Sequence, residues 1–417
     1  MSAIKTEQQY REALVLLTIL EEENQLETRF AGGCVRDRYL NQLPKDFDIA
    51  TVGHPQEVCR IFKQKGYRVI PTGIEHGTVS VIGKFGSYEI TTLRQDIETD
   101  GRHATVRFGQ SFEEDAARRD FTMNAMFEDR HGVIYDFFGG KQDLDRRQLQ
   151  FVGNATERIR EDYLRIMRLY RFWARMDCLP NEQTLTAVAE MGAGLARISQ
   201  ERITQELMGI LAATSPEQAL LHLFDSQIVK IFLPEAQRLT SEQLVRSQDS
   251  HERHLSRLAL MLEQVHADEQ LTQIAKRLKL SNKQHTKLGC LIGTSQFLAS
   301  GSASSIETAE KMDLIDFCET AENGFFLKSV IPHWRCIEAI HTPLVRDFQL
   351  LEETQRSLRL AKIPIESKDV LIQLNLIPGP ELGQALTQLK RSYRNGQWRS
   401  KDEGMRWLIE HRESMSR

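Results

Sequence analysis

Asp46-Phe47-Asp48-Ile49 alternates acidic and apolar residues, and a glycine pair, Gly32-Gly33, precedes it. Along a strand successive side chains point to opposite faces, so Asp46 and Asp48 would share one face while Phe47 and Ile49 anchor the other in a core. Two carboxylates held this way can take hard divalent cations, which prefer oxygen ligands. A solvated strand face would show the same short pattern. A glycine turn that opens a helix presents backbone amides able to hold a triphosphate, and Val35 to Leu40 reads as one or two turns of that helix. Together the two elements point to metal-assisted chemistry on a nucleotide. A pair of Mg²⁺ ions on such a platform would lower the pKa of an attacking hydroxyl and neutralise a leaving pyrophosphate. Glu89, on the alternating stretch Tyr88 to Leu93, is a candidate third carboxylate or an exposed strand residue.

Two further stretches carry chemistry. In the run from Glu113 to Ala125, the residues Arg119, Asp120 and Asn124 can cluster within about a helical turn. An arginine fork there suits phosphate and ribose oxygens, and a solvated helix face fits equally. From Glu157 to Met176 there is no Gly or Pro, and the spacing predicts one continuous helix. On it Asp162, Arg165 and Arg168 step by three along one face, and Arg171 continues the series. Two readings fit. One is surface ion pairing, such as Glu161 with Arg165. The other is base recognition: a carboxylate accepts from the exocyclic amine of cytosine or adenine, and a guanidinium donates to the adjacent ring nitrogen. Uracil and guanine present the opposite pattern, and leaving buried polar groups unpaired makes their rejection strong.

The elements that must position these residues form an α+β protein. The first 150 residues mix helix and strand: a helical pattern over 7–23, and alternating segments at Thr78–Ile82 and Tyr88–Leu93 joined by a hairpin loop at Gly83–Ser87. After about residue 155 helical periodicity takes over, with amphipathic segments at 181–191, 200–212, 216–232, 252–280, 306–322, 349–361 and 380–394. The chain has 417 residues, is 41% apolar and 27% charged, and carries a net charge of −4. That composition excludes a disordered chain and confines any polyanion site to a local patch. No run of roughly 20 apolar residues exists to span a membrane. The six cysteines are scattered, with no Cys-x-x-Cys pair, and read as cytosolic thiols. With no apolar leader at the N-terminus, a cytoplasmic location is expected.

Gly32-Gly33-x-Val35-Arg36-Asp37, Asp46-Phe-Asp48, Arg118-Arg-Asp-Phe-Thr-Met-Asn124, Asp136-Phe-Phe-Gly-Gly-Lys-Gln-Asp143-Leu144, Glu161-Asp162-x-x-Arg165 and Ile198-Ser-Gln-Glu-Arg202-Ile-x-x-Glu206-Leu207 follow in order. This succession resembles the class II tRNA nucleotidyltransferases, the CCA-adding enzymes and their bacterial poly(A) polymerase relatives. It covers about residues 28–211. The resemblance implies that Asp46 and Asp48 bind the catalytic Mg²⁺ ions, and that Gly33 and Arg36 hold the triphosphate. It places Arg119, Asp120 and Asn124 on phosphate and ribose, Asp162 and Arg165 on the incoming base, and Arg168 and Arg171 in support of the nucleotide. Arg202 would brace the templating helix. It also implies a catalytic head (1–150), a helical neck that recognises the base (151–215), a body (216–325) and a tRNA-binding tail (326–417), with CTP, ATP and the tRNA acceptor end as partners.

Within the family, Ile74-Glu-His-Gly-Thr-Val-Ser-Val81 resembles the CCA-adding side, and the segment between Arg94 and Arg118 resembles the flexible loop that members use to switch from C to A. An ordinary mobile loop has the same composition. Poly(A), A-only and CC-only addition stay open, as does a noncatalytic RNA-binding protein. In the C-terminal half, Lys390, Arg391, Arg394, Arg399 and Lys401, with Tyr393 and Trp398, form either a tRNA backbone contact or a solvated helix end.

Overall fold

The structure is a computed structural model that describes residues 3–71, 73–99, 104–109, 111–249, 252–265, 268–299, 363–374, 379–394 and 397–411. The chain divides into two compact units, Met1–Gln248 with Glu252–His285, and Asp249–His251 with Thr286–Arg417.

The first unit opens with helix α1 (Ala3–Glu21), which buries Ala13, Leu16, Leu17 and Leu20. A mixed seven-stranded sheet follows, in the spatial order β3-β4-β5-β2-β1-β8-β9. Its strands are β1 (Thr28–Ala31), β2 (Ile49–Thr51), β3 (Arg68–Ile70), β4 (Thr78–Ile82), β5 (Ser87–Thr92), β8 (Met126–Glu128) and β9 (Ile134–Asp136). Every neighbouring pair is antiparallel except β2 and β5, which run parallel with Ile49 beside Ile90. A parallel pair needs a long crossover; here α3 (Pro55–Gln64), β3 and β4 supply it. The pair therefore brings Asp48 and Glu89, each one residue before the paired isoleucines, to the same end of adjacent strands.

β4 and β5 are the expected hairpin, closed by Gly83 N donating to Gly86 O at 2.8 Å. Strand β2 starts only at Ile49, so Asp46 and Asp48 lie in the extended run that enters it and not on the strand itself. The alternation still holds, because Phe47 and Ile49 are buried and Asp46 and Asp48 are exposed. Part of the stretch read as a loop, 94–118, is a two-stranded ribbon of β6 (Arg94–Thr99) and β7 (Ala104–Phe108). Thr105 and Val106 favour strand, and the charged residues around them masked that signal.

The helical part of this unit differs from expectation where it matters most. The single helix expected from Glu157 to Met176 is two, α6 (Ala155–Glu161) and α7 (Leu164–Met176), with Asp162 extended between them at φ −151° and ψ 105°. α8 (Glu182–Met191) and α9 (Gln200–Ala212) fall as expected, and α9 packs on α7. The segment 216–232 breaks at Gln227, whose φ is +59°, into α10 (Glu217–Asp225) and α11 (Ile228–Phe232). The segment 252–280 breaks into Arg253–Met261 and Asp268–Arg277.

In the second unit Ser367–Leu374, Pro380–Arg394 and Lys401–Glu410 are helical and bury Ile365, Val370, Leu374, Leu389, Trp398 and Leu408 together. The segments 306–322 and 349–361 lie outside the described residues. The α+β expectation holds. Among the described residues no helix is long and apolar enough to cross a membrane.

Candidate active site

One cavity of about 770 Å³ in the first unit gathers the head and neck residues singled out from sequence. Gly33, Arg36, Asp46, Asp48, Glu89, Arg119, Asp120, Asn124, Asp162, Arg165, Arg168, Arg171 and Arg202 all line it. The basic tail residues belong to the second unit.

Gly32 opens the site because its backbone takes φ +70° and passes close to the far wall. A Cβ there would stand 2.7 Å from Arg119 Nη1 and 3.3 Å from Asn124 O, so only glycine fits both the conformation and the space. Helix α2 (Gly33–Tyr39) then turns Arg36 inward, where it is 3% exposed. Its Nε and Nη2 donate to Asp37 Oδ1 at 2.9 and 2.6 Å, and its Nη1 to Asn124 Oδ1 at 2.6 Å.

On the sheet side, Asp46, Asp48 and Glu89 face the cavity, and none takes part in an ion pair or side-chain hydrogen bond among the described residues. Desolvation first, then the charges of Asp46 and Glu89, push the Asp48 carboxyl up to about 6, while Arg119 pulls it down. A divalent cation would relieve this crowding of negative charge, and the donors are all oxygen. Among the described residues no three His, Cys, Asp or Glu side chains converge tightly enough to hold an ion alone.

Eight of the arginines that line the cavity are held by carboxylates. Asp115, 1% exposed, accepts Arg118 on Oδ1 at 2.6 Å and Arg119 on Oδ2 at 3.0 Å. Burial alone would raise its pKa, but these two guanidiniums hold it below the usual carboxylate range. Asp120 Oδ1 accepts Asn124 Nδ2 at 3.2 Å and its Oδ2 accepts Arg168 Nε at 2.7 Å, so the expected Asp120–Asn124 cluster forms. It does so across a turn beyond α4 (Phe112–Ala117) and not within one helix. Arg171 pairs with Glu206 of α9.

The helical face expected to run from Asp162 through Arg168 starts instead at Arg165. Asp162 stands outside α7, one residue before its N-cap Tyr163; one oxygen accepts from Leu164 N at 3.0 Å and the other accepts Arg202 Nη2 at 2.7 Å. Arg165 pairs with Glu161 and also donates to Arg158 O at 2.8 Å. Asp162 and Arg165 both face the cavity nonetheless.

Sequence reasoning missed several lining residues. Arg175 extends the series of Arg168 and Arg171 by one more turn, and that spacing would have found it. Its Nη2 donates to Asp37 Oδ2 at 3.4 Å; burial, then the Arg36 charge, lowers its pKa. Asp115 stands three and four residues before Arg118 and Arg119, a spacing that pairs them on a helix. Arg94 lines the cavity with no local signal.

In the second unit Lys390, Arg399 and Lys401 are exposed, and Lys401 pairs with Asp369 at 2.8 Å. The side chains of Arg391 and Arg394 lie outside the described residues. Trp398 leaves this patch: it is 2% exposed and donates from Nε1 to Ser392 Oγ at 2.7 Å.

A family described as the poly A polymerase head domain matches residues 28–150, and one described as a probable RNA and SrmB-binding site of polymerase A matches residues 180–239. A mitochondrial CCA tRNA nucleotidyltransferase 1 of Mus musculus is 32% identical over 96% of this chain and 90% of its own length. A CCA-adding enzyme of Enterococcus faecalis is 31% identical over 90% of both chains. The crystal structure of the Bacillus stearothermophilus CCA-adding enzyme in complex with CTP superposes with a TM-score of 0.73 at 28% identity, covering 100% of this chain and 99% of that one. The chain belongs to the tRNA nucleotidyltransferase family that contains the CCA-adding enzymes.

Proposed function

We propose that this chain adds C, C and A in turn to the 3′ end of tRNA, taking CTP and ATP and releasing pyrophosphate. The observation that carries this reading is one cavity lined both by carboxylates that make no ion pair among the described residues and by arginines held by carboxylates. The tRNA 3′ hydroxyl oxygen loses its proton to water and bonds to the α-phosphorus, and the bond from that phosphorus to the oxygen bridging it to the β-phosphate breaks, that oxygen leaving with the pyrophosphate.

Gly33 and Arg36 receive the triphosphate, and Arg119, Asp120 and Asn124 order its ribose and phosphate contacts. Asp162 and Arg165 meet the base edge, with Arg168 and Arg171 behind them. Arg202 braces Asp162, a role supported by their 2.7 Å contact. Divalent metal use is general in this family. Two Mg²⁺ ions would be held by Asp46 and Asp48, with Glu89 as a third carboxylate, and when bound they supply hydroxyl activation and charge neutralisation. The other groups act by positioning, which is most of what phosphoryl-type transfer requires.

In this reading residues 1–150 are the catalytic head, 151–215 the base-recognising neck, 216–325 the body and 326–417 the tRNA-binding tail. The cytoplasm is its place of work, which the free thiols of Cys34, Cys59 and Cys178 support.

Purified protein incubated with tRNA ending at the discriminator base, with CTP and ATP singly and together, tests this. The expected product is C-C with CTP alone and C-C-A with both, followed by termination. Long A tails would replace the reading with poly(A) synthesis, and retained binding without incorporation would replace it with a noncatalytic one.

A further inference from the structure

The break between α6 and α7 contains neither Gly nor Pro; its local contribution is Asp162 Oδ1, which accepts from the Leu164 amide. A second contact on it comes from across the fold. Tyr163, the residue after Asp162, lays its ring against Gly194 in the short 3₁₀ turn Gly192–Arg197. A Cβ at Gly194 would stand 2.0 Å from Tyr163 Cδ1 and Cε1 and 2.6 Å from Cγ. The collision reaches the root of the ring, so rotation about χ2 cannot relieve it; χ1 or the backbone must move. The Arg197 guanidinium lies 5.6 Å from the centre of the same ring and closes the seat. Gly194 does not have a positive φ, so what this position requires is space.

We propose that Gly194 and Tyr163 are specificity-determining positioning residues: by seating the Tyr163 ring, Gly194 holds the α6–α7 break open and fixes the Asp162 carboxylate where Arg202, the Leu164 amide and the incoming base meet it. The ring touches no reacting atom. It acts through the backbone of the neighbouring residue, whose two side-chain oxygens already have their partners. A shift of about an ångström at such a residue lowers discrimination without abolishing chemistry.

This inference rests on the base-reading role of Asp162 given above, and the test separates the two. The ratio of kcat/KM for CTP over UTP is measured for wild type, Gly194→Ala, Tyr163→Ala, the double variant and Asp162→Ala, with tRNA affinity and thermal melting in parallel. Gly194→Ala is expected to lower the ratio roughly tenfold through a higher KM for CTP, with tRNA affinity unchanged. In the Tyr163→Ala background the same change should add nothing, because there is no ring to displace. A merely structural role would slow all nucleotides in parallel and leave the ratio intact. An unchanged ratio in Gly194→Ala, or an equal loss in both backgrounds, overturns the proposal. Should Gly194→Ala fail to melt cooperatively, Tyr163→Ala decides alone, and wild-type selectivity in it overturns the proposal. If Asp162→Ala loses selectivity while Gly194→Ala keeps it, only the seat is wrong; if Asp162→Ala keeps selectivity, the base reading itself falls.

Discussion

The two sets of charged residues that line the cavity, an acidic wall and an arginine wall, treat charge in opposite ways. Asp46, Asp48 and Glu89 face it without ion-pair partners among the described residues, and burial first, then the charges of Asp46 and Glu89, raises the Asp48 carboxyl. Eight arginines that line the same cavity, 36, 118, 119, 165, 168, 171, 175 and 202, share six carboxylates, those of residues 37, 115, 120, 161, 162 and 206. The difference separates two tasks. An arginine already held by a carboxylate has lost most of its rotamer freedom, so its remaining N–H groups meet a ligand at small further entropic cost. A cluster of acids with no such partners is electrostatically unfinished, and a cation completes it. The arginine wall is therefore built for geometry and the carboxylate wall for charge.

The sharpest way to break this contrast is to remove an acid from the charge wall. Asp46→Ala or Asp48→Ala should lower incorporation by at least ~10³-fold, while tRNA binding and the melting temperature hold, because no ion pair is lost. Substantial residual incorporation in a single-turnover assay would undo the metal assignment. A large loss of stability would show that these carboxylates have structural partners after all.

On the geometry wall the largest functional effect is expected at Arg165. Arg165→Ala should reduce the preference for CTP and ATP over UTP by roughly a hundredfold, since a base edge would then go unmatched. Incorporation of UTP should change little, which separates this from a loss of catalysis. Competition between labelled CTP and UTP reads the ratio, and an unaltered ratio would reduce Arg165 to its surface pairing with Glu161.

How much of this was legible in the sequence divides along the same line. The charge wall was readable because its grammar is local. Asp46 and Asp48 are one residue apart, and Phe47 and Ile49 between and after them are buried as alternation requires. The parallel pairing that brings Glu89 beside Asp48 was not readable, because it depends on a crossover through α3, β3 and β4. The geometry wall was half readable. Arg165, Arg168 and Arg171 follow helical spacing, whereas the α6–α7 break is contacted by Gly194 and Arg202, more than a helix away in sequence. Local propensity favoured a continuous helix, and tertiary contact overrode it.

Asp120 and Arg168 test the wall's stability cost. Asp120→Asn should destabilise the first unit by about 2 kcal/mol, at the low end for a buried pair because the Arg168 side chain keeps 35% of its exposure. Burial alone would raise the Asp120 pKa, but the Arg168 charge and the hydrogen bonds from Asn124, Arg168 and the Phe121 amide hold it below the usual range. A lowered folded-state pKa gives stability that is present above about pH 4 and is lost as pH falls through the folded value. Melting curves from pH 7 to pH 3 should therefore show a steeper acid loss in wild type than in Asp120→Asn. Parallel curves would mean that the pair adds nothing to folding.

The smallest effect is expected in the second unit, where the contrast between paired and unpaired charge recurs on an exposed surface. Lys390 and Arg399 make no ion pair among the described residues, whereas Lys401 is matched by Asp369. If this patch meets the tRNA backbone, a cation already neutralised releases less counterion on binding than one that is not. Lys390→Ala with Arg399→Ala should weaken tRNA binding several-fold and flatten the slope of log affinity against log salt by roughly 1–2. Lys401→Ala should change the slope by less than either of them. Filter binding of tRNA across a salt series measures all three. Equal slopes in every variant would remove the patch from the interface and leave the residues as a solvated helix end. A larger effect at Lys401 would show that its ion pair opens on binding, which would make it an exception to the rule that pairing fixes geometry.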